Sequence, residues 1–588
     1  MIERRTSNAV RSTPASRARL RFDETHTTMT TMPPIHDSLA VGSPAFSDPR
    51  LAAISITAGP IAAWCELLVG DPGSAVRAVS GDFAVGVRSA DGRVVLVADR
   101  FAMQTLCYRL VDGELRFALR ADQLGVGAAE IDPQAIFDYL YFHVIPSPRT
   151  IFKDVYRLPP GHFGVFEAGR LTVAPYWTPS FHEPVKPSFG ALRDEFRHLL
   201  RDAVAQQLDG SKPACFLSGG TDSSTIAGLI GQVAGRPAAS YSIGFKAEGY
   251  DEMAYARIAA RHFDTEHHEY YVTPDDLVRS IGEVAGSHDQ PFGNSSALPA
   301  YCCARMARDD GVTRLLAGDG GDELFGGNSR YAMQRIFGWY SQLPSGLRKG
   351  VMDPLFGMPA AASLPLLRKG AGYIRQANTP MPDRLQNYNL LLRLGVQEVL
   401  TPAFLSRVSQ RAPLNAQRTV WAAAGDVAEI NAMLAYDWRF TLAESDLPKV
   451  RASTQLAGVT AGYPFLDQAL VDFSLRLPAA YKLKGLRLRW FFKEALRGFL
   501  PDAIIAKKKK GFGLPFGVWV NRHDGLKQLA VDSLRSFAGR GIVRPEFIDT
   551  LLHTHLPAHP GYYGEMVWIL MMLEQWLQRH APRYVADA

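Results

Sequence analysis

The pattern of apolar and polar positions divides the chain into a strand-rich first part and a longer part in which strands and helices alternate. In the first part, two pairs of short apolar runs, 83–88 with 94–99 and 106–110 with 115–119, each flank an Asp-Gly dipeptide. Asp-Gly between such runs is typical of a β-hairpin. The pattern therefore predicts two consecutive hairpins, followed by a capped helix over 132–141.

From residue 190 the apolar spacing is that of a parallel α/β sheet entered through a helix over 190–207. The predicted strands cover 214–217, 239–245, 268–272 and 313–317, and the predicted helices that follow them cover 225–233, 253–263, 275–287 and 298–309. Strand–helix units of this length predict a doubly wound sheet with its ligand at the carboxyl ends of the strands. Residues 330–588 are mostly helical by their period.

Composition narrows the class of protein. A chain of 588 residues is too long for one core, and 47% hydrophobic and 21% charged residues are ordinary for a globular protein. A net charge of +6, spread along the chain, does not predict a nucleic-acid partner. No apolar run approaches the length of a membrane span, and five cysteines without repeated spacing give neither a disulfide framework nor a zinc pattern. We expect a cytoplasmic protein with reduced thiols and no membrane partner.

The domain organisation follows from these patterns. Residues 1–45 are rich in Ser, Thr, Arg and Pro and contain no apolar stretch like that of a secretory signal, so we expect them to be disordered. Met29 and Met32 stay open as alternative starts. The strand-rich part is predicted as a domain over 46–185, and the α/β part with its helical continuation as a domain over 190–580.

The clearest candidate chemistry follows the first strand of the parallel sheet. The loop carries two glycines, three serines and one carboxylate: Leu217, Ser218, Gly219, Gly220, Asp222, Ser223 and Ser224. Paired glycines let the backbone approach a ligand, and turn amides at a helix N-terminus form an anion site. A carboxylate among hydroxyls suits a metal ion beside phosphates. The loop therefore predicts a pyrophosphate site; the alternative, a capped glycine-rich turn, explains the helix but not Asp222.

A second glycine-rich turn, 318–327, follows the fourth strand and carries three carboxylates in five residues. Acidic groups beside a triphosphate need a divalent cation between them, and Mg²⁺ is commonly held by a few carboxylates plus substrate phosphates. We predict Asp222 and Asp322 as metal ligands and Asp319 near the reacting carbonyl. The alternative is an acidic turn in solvent.

A third stretch is the lysine run 507–510, which Gly-Phe-Gly follows. Such a tight apolar sequence indicates that one lysine turns inward, where it would neutralise a developing oxyanion and the leaving pyrophosphate. We predict Lys509 for this catalytic role. An exposed basic run is the open alternative.

Taken together, these segments resemble the synthetase domain of the asparagine synthetase family, which has an ATP-pyrophosphatase loop. The further segments that carry the resemblance are 241–245, 250–252, 265–269, 289–292 and 464–467. The first domain is similar to that family's Ntn-type α+β glutaminase half through residues 81–84, 98–100, 157–162 and 176–177. The resemblance implies that ATP contacts residues 217–220, 222–224, Ile243 and Gly318, that Asp222 and Asp322 hold Mg²⁺, and that Lys509 assists the chemistry.

The sequence also departs from that family. Glutaminases of the family use a cysteine just after the initiator methionine, whereas residue 2 here is Ile, and Cys65 and Cys107 are internal. The first domain therefore resembles a degenerate glutaminase. Asparagine synthetases also keep charged residues at positions that Arg451, Ala452, Thr460 and Gly462 occupy here, so we expect the altered 449–467 segment to widen the pocket for a larger substrate.

The remaining pattern most resembles the macrolactam synthetases (cyclases) of lasso peptides. That resemblance implies an ATP-dependent ligase that adenylates a side-chain carboxylate of a precursor peptide and closes a ring with its N-terminal amine. A protease that removes the leader peptide is then an expected companion. β-Lactam synthetases fit less well, since they place a tyrosine where this chain has Asp319. An asparagine synthetase using ammonia or glutamine and a non-catalytic nucleotide-binding scaffold stay open.

Overall fold

The computed structural model describes residues 38–586 except 126–129, 184–187, 353, 355, 357–364, 509, 510 and 512. The predicted disordered segment therefore lies outside the described residues over 1–37. Its last part does not: residues 38–42 form an edge strand of the first sheet, paired in register with 83–87. Disorder was the wrong expectation there, because the short run Leu39–Val41 packs its side chains against a sheet that sequence polarity alone did not place nearby.

The strand-rich part folds as two layered antiparallel sheets and a short two-stranded ladder, with helices packed on them. Its strands are β1 (Ser38–Gly42), β2 (Ala45–Phe46), β3 (Val79–Ser80), β4 (Phe83–Arg88), β5 (Val94–Ala98), β6 (Cys107–Val111), β7 (Glu114–Ala118), β8 (Tyr156–Arg157), β9 (His162–Glu167) and β10 (Arg170–Pro175). Its helices are α1 (Pro49–Ala58), α2 (Pro60–Leu67), α3 (Pro72–Ala75) and α4 (Pro133–Phe142). The two predicted hairpins are confirmed as β4–β5 and β6–β7.

Alternation along the strands explains the layers of this part. The larger sheet runs in the order β1-β4-β5-β9-β10, and the smaller runs β7-β6-β8. Val85 and Val97 face a core with Trp64 of α2, whereas Ala84 and Leu96 face the smaller sheet. Both faces are buried, so these strands read as continuous apolar runs rather than as alternating ones.

The second part is built on a parallel sheet, as predicted. Its strands are β11 (Ala214–Phe216), β12 (Ala239–Phe245), β13 (Glu266–Val272), β14 (Arg314–Leu316) and β15 (Thr460–Gly462), in the order β13-β12-β11-β14-β15. The helices that accompany it are α5 (Phe189–Gln207), α6 (Thr221–Ala234), α7 (Met253–Phe263), α8 (Pro274–Ser287), α9 (Ala297–Asp309) and α10 (Gly321–Phe325). Ala214 and Cys215 follow each other on β11 and point to opposite faces of the sheet, and each is buried in a different apolar cluster. Helices therefore cover both faces of the sheet. The doubly wound fold is confirmed.

The strand order creates the crevice in which a ligand is expected. From β11 the chain moves outward to β12 and β13, then returns to the other side of β11 as β14. Such a reversal leaves the loops after the two central strands side by side at their carboxyl ends. The loop after β11 and the glycine-rich turn after β14 therefore lie next to each other. The fifth strand, β15, was not predicted because its sequence, Thr-Ala-Gly, contains no large apolar residue.

Helix α6 begins four residues earlier than the apolar spacing indicates. Gly220 is its N-cap, and the amide of Ser224 donates to the Gly220 carbonyl. Residues in the first turn need no apolar side chain, so periodicity does not detect them. The early start places Asp222 in the first turn, where the helix dipole favours a negative charge.

The rest of the chain is largely helical, as expected. Its helices include α11 (Ser329–Ser341), α12 (Ser345–Leu347), Pro365–Ala377, Leu390–Leu394, Val396–Val399, Pro402–Ser406, Ala412–Ala423, Glu429–Asp437, Leu447–Ala457, Gln468–Arg476, Ala479–Lys482, Trp490–Ala495, Asp502–Ala506, Phe516–Val520, Asp524–Ala538, Pro545–Thr550, Leu556–Ala558 and Pro560–His580. A wide π-helical turn, Trp438–Asp446, joins two of them, and β16 (Leu483–Lys484) pairs with β17 (Arg487–Leu488). Among the described residues, no helix is both long and apolar enough to cross a membrane.

Candidate active site

The loop after β11 is held in shape by its own hydroxyls. The Ser223 hydroxyl accepts from the Ser218 amide at 3.1 Å and lies 3.0 Å from the Ser218 hydroxyl. Gly219 has φ +65°, and a Cβ there would lie 2.3 Å from the Ala256 amide nitrogen of α7. Only glycine fits both the backbone conformation and this contact.

Glycines also allow the second loop to reach the first. A Cβ on Gly318 would lie 2.9 Å from the Ser223 amide nitrogen, and one on Gly321 would lie 2.3 Å from a carboxylate oxygen of Asp222. Side chains at either position would push the loops apart. The glycine-rich sequence of the turn is therefore explained by the approach of its backbone to the pyrophosphate loop.

The two predicted metal ligands, Asp222 and Asp322, are brought together, and Arg489 lies between them. Its Nη1 donates to Asp222 Oδ2 at 2.8 Å, to Asp322 Oδ1 at 2.7 Å and to the Thr221 hydroxyl at 2.8 Å, while its Nη2 donates to Asp222 Oδ1. The guanidinium is stacked over Phe492 at 4.1 Å and is 4% exposed. Burial opposes its charge, but the two carboxylates outweigh burial and raise the pKa of Arg489.

Arg489 was not predicted from the sequence. It sits outside every glycine-rich motif, and its neighbours Arg487 and Leu488 form a short hairpin strand with no feature of a site. Its backbone is left-handed, with φ +53°, at the N-cap of the following helix. Such a conformation in a residue with a long side chain is uncommon and marks a position that its surroundings fix.

Asp319, the predicted residue near the reacting carbonyl, forms an ion pair with Lys449. The Nζ of Lys449 lies 3.2 Å from Asp319 Oδ1 and 3.3 Å from Asp446 Oδ1, and all three side chains are at least partly buried. Burial opposes the charge on Lys449, but the two carboxylates outweigh it and raise the pKa of Lys449. Lys449 lies in the altered segment 449–467 and was not predicted as a site residue, although its place in the family motif could have identified it.

Two clefts open on either side of the pyrophosphate loop. One, of about 660 Å³ and called the cationic cleft here, is bordered by more cations than carboxylates: Arg487, Arg489, Lys493, Arg497, Lys507 and Lys508 against Asp222, Glu252, Glu494 and Asp502. The other, of about 470 Å³, is bordered by Ile243, Asp319, Thr441 and Lys449. Ser218, Asp222 and Ser223 line both. An extended substrate with phosphates at one end and a reacting group at the other fits this arrangement.

The predicted nucleotide-binding residues occupy different places around these clefts. Leu217, Ile243 and Gly318 line the 470 Å³ cleft, and Gly220 lines the cationic one. Ser224 is fully buried behind the loop, and its hydroxyl bonds with no residue that the structure describes. Its side chain is therefore not positioned to touch a nucleotide, because the helix begins before it and turns it toward the core.

Lys509, the predicted catalytic lysine, lies outside the described residues. Lys507 of the same run does turn inward: its Nζ donates to the Gly219 carbonyl at 3.2 Å, lies 3.3 Å from Glu252 and stands over the Tyr255 ring at 4.5 Å. The inward turn of part of the basic run is thus observed at Lys507, at the back of the pyrophosphate loop.

The altered 449–467 segment does not widen the cleft as expected. Lys449 and Val450 line it, but Arg451 donates to the carbonyls of Ala102 and Met103 in the strand-rich part. Thr460 is exposed at the start of β15, and Gly462 packs against Leu316 within the sheet. The expectation is wrong because a helix and then a strand carry these positions away from the site.

The cysteines contribute no reactive thiol to the site. Four are buried, and only Cys65 is exposed, near the end of α2. Burial raises the pKa of Cys107 to about 11, so its thiol is protonated at neutral pH. Neither Cys65 nor Cys107 carries a free α-amine beside it, because each lies within a strand or helix.

The donor set around Arg489 suits a magnesium ion only in company with phosphates. Among the described residues no group of three or more His, Cys, Asp or Glu side chains is placed to hold a metal ion. Asp222 and Asp322 form a pair of carboxylates, which is what Mg²⁺ takes from a protein when substrate phosphates supply further oxygens. The guanidinium of Arg489 shows that a cation fits between them.

Comparisons with known proteins match both parts of the chain. A family model described as asparagine synthase matches residues 195–578, which is more than half of the chain. A second, described as a glutamine amidotransferase domain, matches residues 65–177.

Individual relatives cover different shares of the chain. Glutamine-hydrolysing asparagine synthetase 1 of Bacillus subtilis (strain 168) is 25% identical over 508 residues, which cover 85% of this chain and 78% of that protein. Asparagine synthetase 3 of the same organism is 25% identical over 385 residues, 62% of this chain and 55% of that protein. The carboxyethyl-arginine β-lactam synthase of Streptomyces clavuligerus is 30% identical over 262 residues, 44% of this chain and 48% of that protein.

Proposed function

The chain belongs to the asparagine synthase family of ATP-dependent carbon–nitrogen ligases, and from this premise we propose that it joins a carboxylate and an amine of the same peptide. The reaction would be macrolactam formation, as in a lasso peptide cyclase. A side-chain carboxylate is adenylated, the N-terminal amine attacks it, and AMP and pyrophosphate leave. The observation that carries the ligase chemistry is the meeting of the two glycine-rich loops at the switch point of the sheet.

Nucleotide binding would use both clefts. The backbone amides and hydroxyls of residues 218–223 suit the phosphates, and the cationic cleft beyond them suits the departing pyrophosphate. Asp222 and Asp322 would hold Mg²⁺, which when bound neutralises phosphate charge and polarises the reacting phosphoryl group. Arg489 keeps these two carboxylates at a fixed separation and compensates their charge.

Aminolysis would rely on the Asp319–Lys449 pair. An amine reaches the site mostly as an ammonium ion and must lose a proton before it can attack. Lys449 holds Asp319 beside the 470 Å³ cleft, where its carboxylate can accept that proton. The first proton then lies on Asp319, the new C–N bond replaces the bond between the acyl carbon and the AMP oxygen, and the second proton of the amine leaves with the AMP phosphate.

The internal amine is the part of the proposal that the cysteines support. Glutamine-derived ammonia requires an activated thiol, and neither Cys65 nor Cys107 is placed to provide one. An amine on the same molecule as the carboxylate removes that need and gains from a high effective concentration. A relative that is 30% identical over part of the chain is named as a β-lactam synthase, and a β-lactam is an internal amide.

Asparagine synthesis is the second candidate. The relative that covers 85% of this chain is named an asparagine synthetase, and Arg451, Thr460 and Gly462 lie away from the cleft, so their identity does not exclude a small acceptor. In that case the same nucleotide site would serve aspartate and ammonia.

The two candidates separate in one experiment. The purified protein is given ATP, Mg²⁺ and synthetic peptides that have a free N-terminus and one Asp or Glu at successive positions. A parallel reaction contains aspartate with ammonium or glutamine. Macrolactam formation gives a peptide lighter by one water together with AMP and pyrophosphate. Asparagine production at a comparable rate, with every peptide left linear, would refute the proposal.

A further inference from the structure

A separate polar cavity lies where the strand-rich part meets the synthetase part. Its volume is about 360 Å³, and both parts line it. From the first part come residues that include Gln104, Arg120 and Arg157, and from the second come residues that include His288, Asp289, Arg451 and Gln455. None of these residues belongs to the clefts beside the pyrophosphate loop.

Arg157 is a buried cation whose hydrogen-bond donors are only partly satisfied. It is 5% exposed, and its Nη2 donates to Asp289 Oδ2 at 2.6 Å. Asp289 is also bound by the Ala121 amide at 2.9 Å, so its charge is shared with the backbone. The Nε of Arg157 has no hydrogen-bond partner in the part of the chain that the structure describes. A buried donor without an acceptor costs free energy unless a ligand or water satisfies it.

Arg451 adds a second cation without a carboxylate of its own. Its Nη1 donates to the Ala102 and Met103 carbonyls at 3.3 and 2.9 Å, and no described carboxylate lies within ion-pair distance of its guanidinium. Burial and then the charge of Arg157 lower the pKa of Arg451. The positive charge of Arg157 therefore disfavours the charge on Arg451.

The other charged groups of the lining leave this excess of positive charge in place. Arg120 donates hydrogen bonds to Asp122 and to the Ser287 carbonyl. Glu444 accepts hydrogen bonds from Arg439 and from the Ser147 hydroxyl. His288 is neutral, because burial lowers its pKa to about 4. Apart from Arg120 and Glu444, which have these partners, the cavity lining carries two cations, Arg157 and Arg451, and one carboxylate, Asp289.

His288 adds an acceptor. Its Nδ1 lies 2.9 Å from the Val284 carbonyl, so in the neutral ring that nitrogen carries the hydrogen, and Nε2 is left with a lone pair. Nε2 is buried and has no partner among the described residues. A ligand that brings both a negative charge and a hydrogen-bond donor would satisfy the arginines and the histidine together.

We propose that this cavity binds a small organic carboxylate about the size of an amino acid, held by Arg157 and Arg451. Its carboxylate would complete the hydrogen bonding of both guanidinium groups, and charge-assisted pairs of this kind are among the strongest in proteins. The apolar walls from Leu119, Val144 and Phe292 fit a short carbon chain. The proposal does not depend on which amide the ligase forms.

The test is ligand binding to the full chain at constant ionic strength. Calorimetric titrations use acetate, succinate and inorganic phosphate, each with and without ATP. Saturable binding of succinate that persists in the presence of ATP is expected. Phosphate binding as tightly as succinate would identify a general oxyanion site instead of a carboxylate site. Loss of succinate binding when ATP is added would place the ligand in the nucleotide cleft and overturn the proposal.

Variants decide whether the arginines are responsible. Arg451→Gln should weaken succinate binding by about tenfold or more, and Arg451→Lys should lose less. Arg476→Gln, which removes an arginine on another helix, is the matched control and should bind as the parent does. If Arg451→Gln does not fold, Ala452→Leu keeps the charge and fills the cavity, and it should abolish binding. Unchanged affinity in Arg451→Gln or in Ala452→Leu would overturn the proposal.

Discussion

Asp222 and Asp322 lie in the first turns of two different helices, yet both accept hydrogen bonds from the same nitrogen, Nη1 of Arg489, at 2.8 and 2.7 Å. Two carboxylates this close repel each other unless a cation compensates them. The arginine performs this task from within the fold. The acidic pair is consequently held in position before any nucleotide arrives, which is the preorganisation that electrostatic catalysis requires.

The first prediction concerns the acidic pair. Asp222→Asn or Asp322→Asn should lower ATP-dependent turnover by about a hundredfold or more, because a metal-side charge is lost where charge develops. Pyrophosphate release measures the effect, and circular dichroism checks the fold. Asp532→Asn, at an exposed position of the helix Asp524–Ala538, is the control and should retain full turnover. Near-normal release by Asp222→Asn would contradict the assignment.

Arg489 itself should act mainly on stability in the absence of nucleotide. Arg489→Met leaves two poorly compensated carboxylates and should destabilise the fold by about 3 kcal/mol. Added Mg²⁺ should restore more of the free energy of unfolding in this variant than in the parent, because the ion replaces the missing charge. Urea unfolding with and without MgCl₂ measures both quantities. Arg487→Met, at a side chain that is 66% exposed, should change neither.

The third prediction separates the two half-reactions. Asp319→Asn should slow amide formation by about a hundredfold, since it removes the proton acceptor, while adenylation stays within a few fold of the parent. Pyrophosphate exchange into ATP reports adenylation, and mass spectrometry of the product reports ring closure. Equal losses in both assays would show that Asp319 acts in nucleotide binding rather than at the acyl carbon.

Glutamine should not serve as an amine source. Cys65→Ala and Cys107→Ala should leave turnover with a tethered amine unchanged, because the first thiol lies on a helix and burial raises the pKa of the second to about 11. Glutamate release from glutamine, followed by an enzymatic assay, provides the measurement. Release by the parent that disappears in either variant would be incompatible with this reading.

The last prediction is a dependence of stability on pH. Burial lowers the pKa of His288 to about 4, below the ordinary value of about 6.5, so the unfolded chain takes up its proton first. The contribution of neutral His288 to the free energy of unfolding is complete above pH ~6.5 and is lost as the pH falls toward 4. His288→Gln should flatten this part of the profile of unfolding free energy. His553→Gln, at an exposed site, should leave the profile unchanged.

The sequence was sufficient for the parts of this molecule that depend on local chemistry. Apolar periods placed the hairpins and the parallel sheet, and the clustering of glycines and carboxylates placed Asp222, Asp319 and Asp322 at one edge. Arg489 was not predicted as a site residue, because a guanidinium that bridges two distant segments has no sequence neighbours that mark it as part of a site. Ser224 was misjudged for a related reason: the start of a helix decides which hydroxyls face the ligand, and that start is set by hydrogen bonds, not by apolar spacing.

The segment 449–467 shows a different limit. A motif treats consecutive positions as neighbours in a site, whereas a helix distributes them around its axis. Residues two apart differ in direction by about 200° in an α-helix. Lys449 and Arg451 therefore point to nearly opposite sides of the helix Leu447–Ala457, one toward Asp319 and the other toward the strand-rich part.

That helix is a partition between two compartments. Val450 borders the 470 Å³ cleft and Ala452 borders the polar cavity, so this helix lies between the two spaces. If the helix axis moves away from one of these spaces, it moves toward the other. A change in the size of the 470 Å³ cleft made by moving this helix would therefore also alter the contacts of Arg451 with Ala102 and Met103 in the strand-rich part.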